Sequence, residues 1–333
     1  MKFISNFLKL LPLLALFIGF QSCSDDDDAT GPVANTTTVV DIATSSDDFS
    51  ILVSALIRAD LVTTLEGSGP FTVFAPTNTA FQALLDSNSS WTTVDDIPVD
   101  VLTNVLLNHV IIGADVDSAT LISAGSGYTN TGATGADDDN LSLFYNLNGT
   151  TLELNGGSST AVGANVTTPD LTATNGRVHV INQVLLPPTI VDHAVANPNL
   201  SILVQAIGYA DTQTTTDLTA TLSGDGPFTA FAPSNTAFAD LLTELSITAL
   251  TDLDAATVEA VLGFHVVAGA NVTSNELMTG AVTTLGGDVQ LDASALTITD
   301  PNDRVSNIIP SLVDIQCVNG VVHAIDKVIL PQQ

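Results

Sequence analysis

Hydrophobic positions along one short stretch of this chain follow first the period of a strand and then the period of a helix. Phe71 to Phe74 place apolar side chains on both faces of an extended segment that follows a Gly-Pro turn. Phe81, Leu84 and Leu85 follow at positions i, i+3 and i+4, which indicates a helix with one apolar face. Thr77 stands where the N-cap of that helix is expected. The pattern therefore predicts a turn, a strand, a cap and a helix in succession.

The same stretch occurs a second time in the chain. Residues 69–81 and 226–238 differ only where Val73 and Thr77 are replaced by Ala230 and Ser234. So long a match between distant segments does not arise by chance, and the chain is therefore predicted to be a duplicated domain. We place the two copies at residues 38–187 and 188–333. Pro187-Pro188 joins them with little slack, so we expect a fairly fixed pair.

Other segments match in the same order in both copies. His109 and His265 each follow an apolar helical pattern, so we expect both on a packed helical face. Near the end of each copy, residues 175–187 and 319–331 share Asn-Gly-x-Val-His-x-Ile-x-x-Val-[Leu/Ile]-Leu-Pro, which contains His179 and His323. This predicts an Asn-Gly turn that leads into one long strand ended by proline. Short alternating runs predict further strands at residues 141–145, 151–154, 289–291 and 296–298.

These shared segments resemble, in order and twice over, the two signature motifs of the fasciclin-domain family. Asn108-His109 and Phe264-His265 stand where that family has a Tyr-His pair. The resemblance covers about residues 36–187 and 188–332. It implies two tandem fasciclin-like domains of α+β class, each a twisted β-wedge or sandwich with several short α-helices. It also implies an extracellular adhesion or protein-binding module, in which four histidines are structural family positions: His109, His265, His179 and His323.

The charge of the chain narrows the classes of partner. There are 36 Asp and Glu against six Lys and Arg, and the formal net charge is −30. Such a surface repels nucleic acid and anionic lipid, so we expect neither as a partner. It could also attract divalent cations, but the sequence contains no EF-hand loop pattern. We interpret residues 137–140 and 300–303, both rich in Asp and Asn, as solvated loops.

The N-terminal segment predicts export. In residues 1–22, Lys2 and Lys9 precede an apolar run that is too short to span a membrane. The segment resembles a bacterial lipoprotein signal, after which Cys23 would carry the lipid and residues 23–37 would form an acidic tether. A simple solvated linker is the alternative interpretation of the part that resembles a surface-export tag, namely Ser24, Asp25, Asp26, Asp27 and Asp28. We expect an outer-membrane lipoprotein, exposed on the surface of a Gram-negative cell.

The sequence offers little reactive chemistry. It contains no H-E-x-x-H, no cysteine pair, no G-x-S-x-G, no P-loop and no dinucleotide-binding fingerprint, so we expect no enzyme, metal site or cofactor. Cys317 is predicted to be a small buried residue rather than a reactive thiol. Asp117-Ser118-Ala119 resembles a short bacterial O-glycosylation site, which makes Ser118 a candidate for that modification.

Two functional hypotheses follow. The first is a non-catalytic adhesion or interaction protein, attached to the outer membrane by its lipid anchor, whose protein or glycan partner is unknown. We expect that partner to meet the variable loops around Tyr128 to Asn140 and Pro301 to Pro310. The alternative is a carrier of an apolar small ligand such as a carotenoid or a lipid, because Ala-, Val- and Leu-rich helices could form an apolar groove.

Overall fold

A computed structural model describes residues 37–213 and 215–332 of the chain. They contain both copies, here called repeat 1 (residues 38–187) and repeat 2 (residues 188–332). The predicted signal segment, Cys23 and the residues of the acidic tag lie outside the described ranges. Within those ranges, no helix has both the length and the apolar character needed to cross a membrane.

Short helices and strands follow one another in both repeats. The helices of repeat 1 are α1 (Val39–Thr44), α2 (Ser50–Arg58), α3 (Val62–Leu65), α4 (Asn78–Asp86), α5 (Val99–Leu107) and α6 (Ser118–Ala124). Its strands are β1 (Phe71–Pro76), β2 (Val110–Ile112), β3 (Ser126–Thr134), β4 (Asn140–Asn148), β5 (Thr151–Leu154), β6 (Ala164–Ala173) and β7 (Gly176–Ile181). The helices of repeat 2 are α7 (Ile190–Ala196), α8 (Ser201–Gln213), α9 (Leu218–Ser223), α10 (Asn235–Glu244) and α11 (Ala255–Gly263). Its strands are β8 (Phe228–Pro233), β9 (Val266–Ala268), β10 (Gly280–Thr283), β11 (Asp288–Asp292), β12 (Thr297–Thr299), β13 (Val305–Asn307), β14 (Ile315–Cys317) and β15 (Gly320–Ile325).

The strands of repeat 1 form one sheet, whereas those of repeat 2 form two. The strand order in repeat 1 is β2-β1-β7-β6-β5-β4-β3, and the two sheets of repeat 2 run β14-β15-β8-β9 and β10-β11-β12-β13. The central pairs, β1 with β7 and β8 with β15, are parallel. Short helices pack on this wedge-like sheet in each repeat. The prediction of an α+β fold with two tandem domains is confirmed, and the predicted internal strands lie within or overlap β4, β5, β11 and β12.

The repeated stretch forms the predicted strand, cap and helix. Every residue of β1 is buried. The Thr77 hydroxyl accepts a hydrogen bond from the Ala80 N–H at 3.3 Å and so caps α4. Ser234 caps α10 in the same way. Phe81 and Leu85 on the apolar face of α4 are buried. The cap matters because the first N–H groups of a helix have no partner within it.

The spacing of the two phenylalanines in β1 divides the interior of each repeat into two cores. Successive side chains of a strand point to opposite faces, so Phe71 and Phe74, three residues apart, face different layers. Phe71 packs in the core under the helices, together with Val73. Phe74 packs in a second core with residues such as Leu143 from the far strands. Repeat 2 divides Phe228 and Phe231 in the same manner.

One boundary prediction is wrong. The last strand of repeat 1 ends at Ile181, not at Pro187. The Asn182 N–H still donates to the Asn165 carbonyl oxygen of β6, but further along the Leu185 N–H donates to the His109 ring at 2.8 Å and not to a neighbouring strand. The last strand of repeat 2 ends at the equivalent residue, Ile325.

The asparagine of the second signature connects three segments of each repeat. Asn175 Oδ1 accepts a hydrogen bond from the Val39 N–H at the start of α1, at 2.9 Å. Asn175 Nδ2 donates to the carbonyl oxygens of Leu65 and Gly67, both at 2.8 Å. Asn319 makes the corresponding three hydrogen bonds in repeat 2. The side chain therefore satisfies buried main-chain groups that no helix or strand pairs.

The asparagine of the first signature has a similar role at the start of α2. Asn78 Oδ1 accepts from the Ile51 N–H at 2.9 Å. Its Nδ2 donates to the Asp47 carbonyl oxygen at 2.7 Å and to Ser50 Oγ at 3.0 Å. Asn235 makes the equivalent contacts in repeat 2. Both signature asparagines thus bind main chain at a helix start.

We predict that Asn175→Ala lowers the free energy of unfolding by about 3 kcal/mol, because a buried N–H and two carbonyl oxygens lose their partner. Urea unfolding followed by circular dichroism measures the loss. Asn275→Ala is the matched control: Asn275 is exposed, and its replacement should cost less than about 0.5 kcal/mol. Equal losses in the two variants would contradict the connecting role of Asn175.

Candidate functional site

His109 and His265 hold the end of each repeat against the helix that precedes them. His109 lies two residues beyond the end of α5 and is buried. Its Nε2 accepts from the Leu185 N–H, so Nδ1 carries the proton and donates to the Val105 carbonyl oxygen at 2.7 Å. His265 repeats both contacts in repeat 2. Burial lowers the pKa of each ring to about 4, against the opposing effect of the main-chain hydrogen bond.

His179 and His323 also bond to main chain on both sides of the ring. The Asp170 N–H donates to His179 Nδ1 at 3.2 Å, and His179 Nε2 donates to the Val116 carbonyl oxygen at 2.9 Å. His323 has the same arrangement with Asp314. Burial lowers the pKa of both rings. Neither imidazole has a nitrogen left for a substrate or a metal, which supports a structural role.

A serine and an aspartate lie beside the histidine of the second signature in each repeat, but the three do not form a catalytic arrangement. Ser118 Oγ donates to the Asp170 carboxylate, and the Ser118 N–H donates to Asp170 Oδ1 at 2.9 Å. Ser274 and Asp314 make the same pair of contacts in repeat 2. A nucleophilic serine would instead donate to the histidine. The Asp170 carboxylate therefore holds the start of α6, and the Asp314 carboxylate holds the turn at Ser274 in repeat 2.

The glycosylation of Ser118 remains a prediction. It is the first residue of α6, is half-buried, and its hydroxyl is engaged by Asp170. A sugar on Oγ would replace that hydrogen bond.

Cys317 is fully buried, and burial raises the pKa of its thiol well above the ordinary value. In residues 37–213 and 215–332, no three His, Cys, Asp or Glu side chains converge in a way that could hold a metal ion.

The two repeats meet at a junction formed by β3 and β4 on one side and α7 and β14 on the other. The Tyr128 ring packs against Phe144 within repeat 1, with centroids 4.9 Å apart, and edge-on against His193 of repeat 2 at 5.4 Å. The Tyr128 hydroxyl accepts a hydrogen bond from Asn197 Nδ2 at 3.1 Å. Burial raises the pKa of Tyr128. Tyr128, at the start of one loop region that we expect to meet a partner, thus contacts repeat 2 with both its ring and its hydroxyl, and the expectation for residues 128–140 and 301–310 stays a prediction.

His193 is the fifth histidine, and it differs from the other four. It lies in α7, is buried, and neither ring nitrogen makes a hydrogen bond. Burial lowers the pKa of His193 to about 4, and the nearby main-chain groups of Gln316 and Ser142 oppose this lowering in part. The position equivalent to His193 in repeat 1 is Ile42. A polar residue where the other repeat has an apolar one is the sequence signal that could have located the junction.

The polar part of the junction was missed from the sequence. The Gln316 N–H donates to Ser142 Oγ across the junction at 3.0 Å. Asp139 Oδ2 accepts hydrogen bonds from Asn271 Nδ2 at 3.3 Å and from Gln316 Nε2 at 3.2 Å. These side chains join an acidic turn of repeat 1 to two amides of repeat 2. None of them belongs to a motif that the repeats share.

An apolar cavity lies under the helices of each repeat and is larger in repeat 2. Its volume is about 60 Å³ in repeat 2 and about 20 Å³ in repeat 1. Ala230 and Gly263 in the wall of the larger cavity stand where repeat 1 has the bulkier Val73 and Leu107. Both changes remove side-chain volume from the same layer.

An open groove of about 640 Å³ lies beside β10 in repeat 2. It arises because Asp288 lies 14 positions after Ser274, whereas their counterparts Asn140 and Ser118 lie 22 positions apart. Repeat 2 has a turn in place of α6, and β10 is shorter than β3. β10 is an edge strand with an unpaired side. The groove is lined by Asp137 of repeat 1 and by residues of repeat 2 that include Phe231, Val267, Asn271, Glu276, Leu277, Met278 and Val282.

Comparison with known proteins agrees with the repeated signatures. The sequence profile of the fasciclin domain matches residues 47–187 and 199–331. The Synechocystis sp. proteins sll1483 and sll1735 are 36% and 37% identical to this chain, over 45% and 44% of its length and 74% and 96% of theirs. Periostin of Homo sapiens is 31% identical over 61% of this chain and 22% of its own length. A fasciclin domain pair from the insect cell adhesion molecule fasciclin I covers 83% of this chain and 92% of that structure, with 18% identity and a TM-score of 0.45.

We predict that stability falls as the pH is lowered from about 6.5 towards 4. His109, His193 and His265 have folded pKa values of about 4, below the ordinary 6.5, so the unfolded chain binds more protons in this window. Urea midpoints at several pH values measure the effect. His193→Leu removes one titrating ring without breaking a ring hydrogen bond, so its profile should be shallower. A midpoint that stays constant down to about pH 4.5 would contradict the prediction.

Proposed function

Because the chain belongs to the fasciclin-domain family, we propose that it is a non-catalytic adhesion or protein-interaction protein held at the surface of a Gram-negative cell. Fasciclin domains are generally adhesion modules without catalytic activity. The observation that carries the proposal is the direction of the signature side chains. In both repeats the signature asparagines and histidines bond to main chain inside the fold.

Because the signature side chains bond inside the fold, we expect a partner to bind surfaces at which the two repeats differ. The groove beside β10 is such a surface, because α6 and a longer β3 occupy the corresponding region of repeat 1. In repeat 1, β3 lies against β2, and a Cβ added to Gly132 would meet Ile112 Cδ1 at 2.8 Å. The equivalent gap in repeat 2 remains open as the groove.

The occupant that suits this groove is an extended segment of a partner protein. An edge strand offers unpaired N–H and C=O groups, to which an added strand can bond. Met278, beside β10, is 80% exposed, and Leu277 and Val282 give the groove further apolar surface. An extended segment would pair with β10 and cover Met278 with an apolar side chain. A glycan partner would use the groove's polar rim instead, and it is an outcome of the test below.

The anchor at Cys23 would bring these surfaces to the cell exterior. Acyl chains stabilise membrane attachment by about 0.8 kcal/mol for each buried methylene. Residues Ser24, Asp25, Asp26, Asp27 and Asp28 would direct the lipoprotein to the outer face, and the net charge of −30 would keep the body of the protein away from anionic lipid. We therefore place the protein in the outer membrane, facing outward.

A carrier of an apolar small ligand is the second candidate. The favouring observation is the apolar cavity of repeat 2, which contains Leu203, Ile207 and Leu262 in its wall. Its volume of about 60 Å³ is smaller than the roughly 150 Å³ cavity that holds benzene in another protein. A carotenoid or lipid would have to lie in an open groove. Native protein extracted without pigment or lipid would remove this candidate.

We predict that Cys23→Ala releases the protein from the membrane fraction, because the variant has no thiol to carry the acyl chains. Fractionation and immunoblotting measure the distribution, and Cys317→Ala is the control that keeps the anchor residue. A Cys23→Ala protein that stays in the outer membrane would contradict the anchor. Loss of surface labelling after removal of Asp25 to Asp28 would support the export role of those residues.

We predict that Met278→Asp weakens partner capture several-fold, because a charge replaces apolar contact at the groove. Crosslinking on intact cells, followed by mass spectrometry, identifies the partner and compares yields. Ile57→Asp is the matched control: Ile57 is also exposed, at 65%, but it lies on α2 away from the groove.

Equal yields for the two variants would show that the groove is not the contact surface. A captured glycan would replace the extended protein segment as the occupant. Wild-type cells that yield no specific partner, and that attach to surfaces as well as deletion cells do, would overturn the adhesion proposal itself.

A further inference from the structure

An acidic turn of repeat 1 meets two buried amides of repeat 2. The turn comprises Asp137, Asp138 and Asp139, and Asp139 Oδ2 accepts from both amides. Arginine ion pairs in the described parts of the chain involve Asp95, Asp115, Asp170, Glu244 and Asp300. The acidic turn has no part in them, although it lies in a chain with a net charge of −30.

Both amides bury a carbonyl oxygen that has no hydrogen-bond donor. Asn271 and Gln316 are 5% and 6% exposed, and neither Asn271 Oδ1 nor Gln316 Oε1 has a partner. Leaving a buried polar atom without a partner is unfavourable. Each amide thus donates to Asp139 at one end and has an unsatisfied acceptor at the other. Each carbonyl oxygen could be satisfied by a hydrogen-bond donor or by a cation.

Rotation of each amide would turn its oxygen towards the same carboxylate. A turn of 180° about the terminal torsion exchanges the oxygen and nitrogen positions with little change in volume. The oxygens of Asn271 and Gln316 would then lie 3.3 and 3.2 Å from Asp139 Oδ2, where the nitrogens now lie. Oxygen atoms so placed repel one another unless a cation lies between them.

We propose that a calcium ion binds at this point and joins the two repeats. Its ligands are the carboxylates of Asp139 and Asp137, the amide oxygens of Asn271 and Gln316, and water. Asp137 lines the same groove as Asn271. Ca²⁺ takes six to eight oxygen ligands at about 2.4 Å, and two of them at a right angle lie about 3.4 Å apart. Octahedral Mg²⁺ would bring them to about 2.9 Å, so the spacing favours Ca²⁺.

The site differs from what the sequence indicated for the same residues. Residues 137–140 follow no EF-hand pattern, and we interpreted them as a solvated loop. The proposed ligands come from positions far apart in the chain, and two of them are amides. A search for local sequence motifs therefore does not find them. Calcium would hold the acidic turn of repeat 1 against β14 of repeat 2.

Isothermal titration calorimetry and thermal unfolding of the protein in CaCl₂, MgCl₂ or EDTA test the proposal. We expect a Kd in the range of about 0.1 to 1 mM, as in extracellular calcium modules. At about 10 mM CaCl₂ the melting temperature should rise by about 2–4 °C. Asp139→Asn should abolish both effects. Asn271→Asp should melt lower than wild type in EDTA and show a larger calcium-induced rise, because calcium relieves the repulsion that its added carboxylate creates.

Asp303→Asn is the control, since it removes one exposed carboxylate of repeat 2 that contributes no proposed ligand. It should bind calcium as wild type does. Absence of calcium binding by wild type, equal binding by Asp139→Asn, or an equal loss in Asp303→Asn would each overturn the site. Should Asp139→Asn fail to fold, Asn271→Asp decides: a calcium response no larger than that of wild type overturns the proposal. Equal responses to Mg²⁺ and Ca²⁺ would overturn the assignment to calcium.

Discussion

The structure depends on satisfying main-chain groups that are buried where the helices meet the central parallel strands. Helix starts and strand ends leave N–H and C=O groups without a partner in any ladder, and burial makes each of them costly. Asn175 and Asn319 satisfy three such groups each, and the rings of His109 and His265 bridge two more. Neutral amides and imidazoles suit this task, because they donate and accept without a charge that would need a counterion. The signatures are therefore best understood as a set of internal connections.

Much of the fold was predictable because hydrophobic spacing and capping are local properties. Phe71, Phe74, Thr77 and Phe81 fix a strand, a cap and a helix within a dozen residues, and the second copy confirms the interpretation. The end of the last strand was not predictable, because the apolar run continues to Leu186, whereas the Leu185 N–H bonds to the distant His109 ring and not to a neighbouring strand. Of the candidate sites, the buried state of Cys317 was correctly expected. The polar junction was not, since Asp139, Asn271 and Gln316 are brought together only by the folded chain.

Comparison of the two repeats separates what the fold requires from what it tolerates. The capping hydroxyl, the two asparagines and the four signature histidines recur with the same partners. In contrast, Val73 and Leu107 are replaced by the smaller Ala230 and Gly263, and repeat 2 has a turn where α6 stands in repeat 1. The tolerated changes open space in repeat 2, as an enlarged cavity and an edge-strand groove. A duplicated fold can thus keep one copy closed while the other acquires surface that is available for contact.

The junction has a further consequence for association between molecules. It is a head-to-tail contact between two related units, and a contact of that kind can in principle extend without limit into a filament. Here the complementary side chains occur on one face only. Repeat 1 has Ile42 and Thr172 where repeat 2 offers His193 and Gln316, and β10 is too short to supply a residue that corresponds to Tyr128. Repeat 1 therefore does not offer a second molecule the residues that repeat 2 offers at the junction. This difference between the copies disfavours open-ended polymerisation through the same contact.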